Sequence, residues 1–448
     1  MRTNGRVRRA TGLALVLGVL GLTACDLDDL LNVEDRDVVN PGTLEDPEVL
    51  PVVIAGALGD FTSAFGGGES YLTVSGVLSD EFFSSGTFPT RTATDRREQF
   101  PAASGNTSDG TYTGLQFARR ALSDAAARVA NIRDTSDEDY QTLKALEGYT
   151  MVLLAEGFCS AIPLSSVVDG AFVYGPPLTG MQLLDSAIAR FDAAGSAELA
   201  AVGKGRALLD QGQYAAAAAA VAGVPTDWEY MVLHSQAGTS NTIFGMQSNG
   251  RYSQSDREGV NGEPFRVPED PRAPWTHTGP GFDANIPLYK SDKYNDYSDP
   301  VVLASGVEAR LIEAEAALQA SQYGQMTTIL NNLRAQVGDI MEDWVPNYAA
   351  VVPSPTLAPL TAPTTADAAR DMLFAERAFW LYLTGHRLGD LRRLVYQYGL
   401  AQNTVYPSGD YHKGGSYGSD VVMPLDFDEA NNPNFTHDMC NVQSAAIN

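Results

Sequence analysis

A chain of 448 residues, 44% hydrophobic, can bury a large core in one big domain or two. Lys and Arg number 30 against 55 Asp and Glu, a net charge of −25, which argues against nucleic acid as a partner and against electrostatic adhesion to anionic lipid. Three cysteines, five histidines without a His-Glu-x-x-His pair, and no phosphate loop or dinucleotide fingerprint give no reason to expect a metal or a cofactor.

Arg2, Arg6, Arg8 and Arg9 precede an apolar run from Leu13 to Leu22, the basic n-region and short h-region of a secretory signal. The run falls well short of the roughly 20 residues that span a bilayer. Leu22-Thr23-Ala24-Cys25 has the form of a bacterial lipobox. Residues 1–24 are therefore expected to be a lipoprotein signal peptide and Cys25 the acylated mature N-terminus; an ordinary signal peptide with a chance cysteine is the alternative. Several acyl chains on one residue anchor stably. Without the leader, 26 basic residues face 55 acidic ones, a net charge of −29. Asp26, Asp28, Asp29, Glu34, Asp35 and Asp37 make residues 25–40 an acidic flexible tether, either spacer or sorting signal. No second apolar run is expected to reach membrane-spanning length, and 41–448 reads as a single domain.

Helical periodicity then follows along the chain. Leu115, Ala118, Ala121, Leu122 and Ala125 mark a helix over 112–131, and Tyr140, Leu143, Leu146, Met151, Leu154 and Phe158 another over 138–158. Further amphipathic stretches run over 180–194, 199–211, 213–222, 303–320, 323–336 and 366–384. Gly205, Leu208, Gly212, Tyr214, Ala217 and Val221 fall at the small and large positions of a tetratricopeptide unit, and Ala314, Tyr323, Leu330 and Leu333 follow a weaker version. Such units must stack, because each leaves an apolar face open. The fold class is mainly α: four tetratricopeptide-like pairs in a curved scaffold, packed against a loop-rich irregular half.

Residues 237–300 are rich in Gly, Pro, Asn, Asp and Ser with interspersed aromatics, too long for a passive loop. Residues 345–365 hold five prolines and read as an exposed, extended loop without chemistry. With Cys25 spent on lipid, Cys159 and Cys440 are expected to pair, stapling the tail to the helix ending near Phe158; two inert buried thiols are the alternative. Gly414-Gly415-Ser416-Tyr417-Gly418 matches a nucleophile elbow in form but lacks the strand and helix that chemistry needs. Asp292, Asn295, Asp296 and Asp299 do not follow a calcium-loop spacing and read as a solvated acidic loop. No catalytic residue is assigned.

Ala375-Glu376-Arg377-Ala378-Phe379-Trp380, followed by Gly385-His386-Arg387 and Asp390-Leu391-Arg392-Arg393, resembles the C-terminal motif of the SusD/RagB family. Ser79-Asp80-Glu81, Asp270-Pro271-Arg272, Glu308 to Ala316 and Val422-Met423-Pro424-Leu425 resemble further marks of that family in the same order. Leu388-Gly389 stands where the family usually has an aromatic. The resemblance implies an outer-membrane, cell-surface lipoprotein, not an enzyme, that binds a glycan or peptide and hands it to a TonB-dependent (SusC-like) outer-membrane barrel. A non-transport tetratricopeptide scaffold is the alternative, and a glycan-degrading enzyme a more distant one. Among large apolar neighbours, Glu376, Arg377, His386, Arg387, Asp390 and Arg392 are expected to form a structural charge network that fixes the last helical pair. The ligand is expected on loops, at Asp80, Glu81, Phe82, Phe83 and Asn106 together with Trp275, Tyr289 and Tyr294. Trp228 and Tyr230 have a helix-compatible spacing and are set aside.

Overall fold

The computed structural model describes residues 46–100, 105–168, 171–267 and 269–447, so the expected signal peptide, Cys25 and the expected tether lie outside the described residues. Pro51–Asn448 form one unit and Met1–Leu50 another; the architecture below is that of the former.

Helices α1 (Leu50–Gly66), α2 (Tyr71–Leu78) and α3 (Pro89–Asp95) come first. Periodicity passes over α2 because it is buried at every position and so carries no polar stripe. Contrary to expectation, Leu50–Leu78 is long and apolar enough to cross a membrane by length and composition. The segment is interrupted after Gly66, and its second helix is enclosed by protein on all sides.

Next come α4 (Thr107–Ile132), α5 (Glu138–Gly157), α6 (Gly180–Ala194), α7 (Glu198–Asp210) and α8 (Tyr214–Val221), each packed on the one before. Capping fixes the starts of two of them: the Asp137 carboxylate accepts from Asp139 N at α5, and Thr179 and Gln182 form a capping box at α6. Gly212, at φ +73°, turns α7 into α8. A Cβ at Gly205 would stand 2.4 Å from Val221 Cγ1, so only glycine lets these two helices approach. The short α9 (Thr242–Ser248) precedes α10 (Gly306–Gln319), α11 (Tyr323–Ala335), α12 (Val337–Trp344), α13 (Ala366–Trp380) and α14 (Arg387–Tyr396). Helix α10 packs on α8 and α13, and Leu311, Leu330, Leu333, Met341, Trp344, Leu373 and Trp380 share one apolar core.

Strands form only separate antiparallel pairs among the described residues: β1 (Phe82–Ser84) with β7 (Tyr252–Gln254), β2 (Ile162–Pro163) with β5 (Pro177–Leu178), β3 (Ser166–Val168) with β4 (Ala171–Val173), β6 (Glu229–Val232) with β10 (Val301–Ser305), and β8 (Trp275–Pro280) with β9 (Pro287–Ser291). Tyr230 sits in β6 opposite Ala304 rather than in a helix, because so short a run fits either period. The proline-rich segment also departs from expectation. Leu357 and Leu360 pack against the α10–α13 core, Asn331 grips Leu360 through N–H and C=O (2.7 and 3.0 Å), and Arg334 donates to Ala358 O (2.8 Å). It is a strap along α11.

The charged motif is buried at Glu376, Arg377, His386, Arg387, Asp390 and Arg392. Asp390 accepts from Arg377 at 2.8 and 2.9 Å and from Arg393 at 2.6 Å. Glu376 accepts from Arg272 at 2.8 Å and Arg334 at 2.5 Å, and Arg387 forks onto Asp80 at 2.6 and 2.8 Å. His386 lies 2.9 Å from Arg206 and 3.2 Å from Glu308. Arg392 contacts carbonyls instead: those of Ala155, Glu156 and Phe158 at the end of α5, and of Ala445 and Ala446 in the tail. It satisfies the orphan acceptors of a helix C-terminus with a cation. The network thus reaches beyond the last helical pair to the turn after α2, to α5, α7, α10 and α11, and to the segment before β8.

Candidate ligand-binding cleft

The 409–418 turn is built on glycine. Gly409, Gly414 and Gly415 have φ of +83°, +97° and +78°, and Tyr411 N and Tyr417 N donate to Gly415 O and Gly409 O. That tight return delivers Tyr411, His412 and Tyr417 to one face, with ring centroids 4.4 Å apart for Tyr411–His412 and 5.2 Å for Tyr411–Tyr417. Phe83, leaving β1, meets His412 edge-on at 4.9 Å. The Ser416 of the elbow-like motif lies inside this turn, which answers the motif in form only.

The facing wall is the β8–β9 hairpin. Tyr289 pairs across it with His277, ring centroids 5.0 Å apart, and meets Trp275 edge-on at 5.5 Å. The Arg266 guanidinium lies 3.5 Å from the centre of the Tyr289 ring, a cation–π contact that fixes the ring's orientation. Trp275 Nε1 donates to Arg266 O at 3.1 Å, so indole, guanidinium and phenol form one unit. Between the walls lies a cleft of about 400 Å³ lined by Phe83, Tyr289, His412 and Tyr417 with Arg266, Asp256, Glu258 and Asp410. Trp275 lines an adjoining cleft of about 530 Å³ with Asp270, Asp292, Pro353 and Pro355, giving the proline-rich strap a wall to form. Half-exposed aromatic rings beside fixed polar groups can hold flat, hydroxylated or amide-bearing ligands.

Of the expected ligand residues, Phe83 and Tyr289 line one cleft, and Trp275, in contact with Tyr289, lines the adjoining one. Four others are corrections. Asp80 is buried as the partner of Arg387, with Glu263 N adding a third hydrogen bond at 2.9 Å. Phe82 is fully buried against Tyr252, because alternate residues of β1 face opposite ways. Tyr294 is buried with its hydroxyl on Leu383 O at 3.2 Å. Glu81 is buried and accepts from Leu383 N at 2.6 Å. Asn106 stands apart at the start of α4, its side chain bonded to the backbone of Phe100 at 3.0 and 3.2 Å. Arg266, His412 and Tyr417 were missed by motif reasoning. The signal was the aromatic content of the glycine turn. In the acidic loop, Asp299 accepts from Asn295 N and Asp296 N at 2.5 and 2.9 Å, which accounts for one carboxylate without a cation.

Burial pushes the Glu81 carboxyl from 4.5 up to about 8, Asp80 adds to the rise, and Leu383 N–H, Arg387 and Lys293 oppose it. An acid that holds its proton more tightly when folded makes stability fall as pH rises between those two values. Glu81→Gln is expected to flatten that fall, read as the change in urea midpoint between about pH 5 and pH 8. An unchanged slope would mean that Glu81 ionises as an exposed acid does.

A scaffold of helical hairpins carrying an aromatic cleft on irregular loops is the class of protein these features define. No family model and no curated protein matches the chain. Solved structures do. A SusD-like protein from Bacteroides fragilis aligns at TM-score 0.61 with 13% identity, over 89% of this chain and 98% of its own. NanU of B. fragilis aligns at TM-score 0.58 and 13% identity, over 91% and 100%. A laminarin-binding SusD-like protein aligns at TM-score 0.55 and 15% identity, over 87% and 98%. The chain has the SusD-like fold, mainly α with tetratricopeptide-like repeats.

Proposed function

We propose that this chain is a SusD/RagB-type lipoprotein, held at the outer-membrane surface through Cys25. In this role it captures an oligosaccharide and passes it to a TonB-dependent barrel. Binding, not catalysis, is the activity. The observation that carries the reading is the open cleft between Phe83, His412 and Tyr417 on one side and Tyr289 on the other, with Trp275 edge-on to Tyr289 in the adjoining cleft. Sugar rings present flat apolar faces to such side chains, while Arg266, Asp256 and Asp410 offer partners for hydroxyls. Similarity to a laminarin-binding SusD-like protein supports a glycan over a peptide.

Affinity electrophoresis through gels containing laminarin and other neutral polysaccharides tests this. Retention is expected for at least one glycan. Tyr289→Ala and Trp275→Ala should each weaken it about tenfold, the worth of one aromatic contact of about 1.4 kcal/mol. Undiminished retention in both variants would remove the cleft from the reading. Retention of peptides alone would replace the glycan.

A further inference from the structure

Beneath His412, where the glycine turn meets the end of α3, the chain leaves two buried acids without an arginine or lysine partner; the nearest ionisable nitrogen is His412 Nε2, 3.8 Å from Asp95 Oδ2. Asp95 and Glu258 are 1% and 7% exposed, and one oxygen of each lies with a ring nitrogen of His412 inside a 4.8 Å group. Five other buried acids are matched to arginine, Asp80 to Arg387, Glu156 to Arg206, Glu376 to Arg272, Asp390 to Arg377 and Glu315 to Arg393, while Glu81 and Asp299 are held by backbone N–H groups. Among the described residues, neither Asp95 nor Glu258 forms an ion pair with Arg or Lys. Lys413 donates to Gly86 O and lies 3.9 Å from Asp283; its charge reaches Asp95 without pairing.

Hydroxyls and a backbone N–H donate to these carboxyl oxygens, and the two carboxyls also lie within hydrogen-bonding reach of each other. Asp95 Oδ2 accepts from Ser84 N at 2.8 Å and Tyr411 Oη at 2.6 Å, while Glu258 accepts from Tyr417 Oη and Ser255 Oγ, each at 2.7 Å. Asp95 Oδ1 is buried and receives none. An unpaired carboxylate oxygen with no donor is costly unless a proton or a cation meets it.

We infer that Asp95, Glu258 and His412 bind one zinc-class divalent cation at the base of the cleft. Two carboxylate oxygens and an imidazole nitrogen suit zinc, whose bonds to such atoms are about 2.0–2.2 Å. Calcium asks for about six to eight oxygens, and magnesium keeps most of its waters. His412 Nε2 donates to Ser84 O at 3.1 Å, a hydrogen bond that a cation bound at that nitrogen would replace. His412 and Glu258 line the cleft, and the His412 side chain is 25% exposed, so an ion can enter from solvent. Bound there, the cation would tie β1, α3, the 255–262 segment and the glycine turn together. The competing arrangement is a single proton shared by the two carboxyls, which burial favours by raising both above the usual range.

Titration calorimetry of the untagged full chain with zinc chloride separates the two. One equivalent should bind, more than tenfold more weakly at about pH 5.5 than at about pH 7.5, because protons compete for every ligand. His412→Ala and Glu258→Gln should each lower zinc affinity at least tenfold, with the zinc-free melting temperature of His412→Ala near that of the wild type. His277→Ala, on the β8–β9 hairpin, should leave zinc affinity unchanged. No saturable zinc uptake would leave the shared proton as the answer and overturn the site. So would binding that survives both His412→Ala and Glu258→Gln, or uptake of calcium but not zinc.

Discussion

Asp390→Asn should destabilise the protein by about 3–5 kcal/mol, the usual cost of removing one member of a buried ionic group. The carboxylate accepts three hydrogen bonds from two guanidiniums, and the near-isosteric amide keeps the shape while leaving those charges behind. Arg393 would keep Glu315 and Asp210, but Arg377 would keep only Glu315 at 4.0 Å. Pairing Asp390→Asn with Arg377→Met removes the stranded charge, so the double variant should cost less than the two singles summed. The pH profile gives an independent reading. Arg377 and Arg393 overcome burial and hold the Asp390 carboxyl well below its ordinary 3.8. That stability is present above the unfolded value and is lost as pH falls through the folded one. Asp390→Asn should therefore lose less of its remaining stability to acid than the wild type does. Strict additivity of the two singles would mean that these charges do not act as a unit.

The helical layer was legible because its amphipathic helices carry their pattern locally. Gly205 and Gly212 signalled a hairpin for a physical reason, since a Cβ at the first would strike Val221 and the second needs a positive φ. What periodicity could not show was α2, which faces protein on all sides, or β6, which is too short to declare its period. The site divided in the same way. Phe82 and Phe83 are neighbours in sequence, yet one is core and the other lines the cleft, and only the pairing of β1 with β7 decides which. Asp80 looked like a ligand-orienting acid until Arg387, distant in sequence, claimed it. His412 and Tyr417 owe their positions to glycines whose positive φ values are conformational and not compositional. Long-range partners, absent from any local window, separate a structural charge from a functional one.

Replacing Cys159 and Cys440 together by serine should cost about 2–5 kcal/mol and loosen the C-terminal tail before the rest. The two cysteines are bonded across 281 residues. Closing so long a loop restricts the unfolded chain by an amount that the loop-entropy relation puts at about 5–6 kcal/mol, an upper figure because unfolded chains keep some structure. In the folded chain the bond joins the segment just after α5 to a tail with several other holds. Val421 N donates to Val442 O, Met181 N to Ile447 O, and Arg392 reaches Ala445 and Ala446. Ile447 lies so close to Gly180 that a Cβ there would stand 2.7 Å from it. These contacts should keep the tail docked in the serine variant under mild conditions, so spectra and the helical core should be unchanged. Under protease or moderate urea, residues after about 436 should be cut first in the variant and stay protected in the oxidised wild type. Dithiothreitol applied to the wild type should reproduce the same cuts and the same fall in midpoint. If oxidised wild type and double-serine variant unfold together and are cut alike, the non-covalent clasp around Arg392 and Ile447 holds the tail unaided, and the bond's loop-closure contribution is negligible.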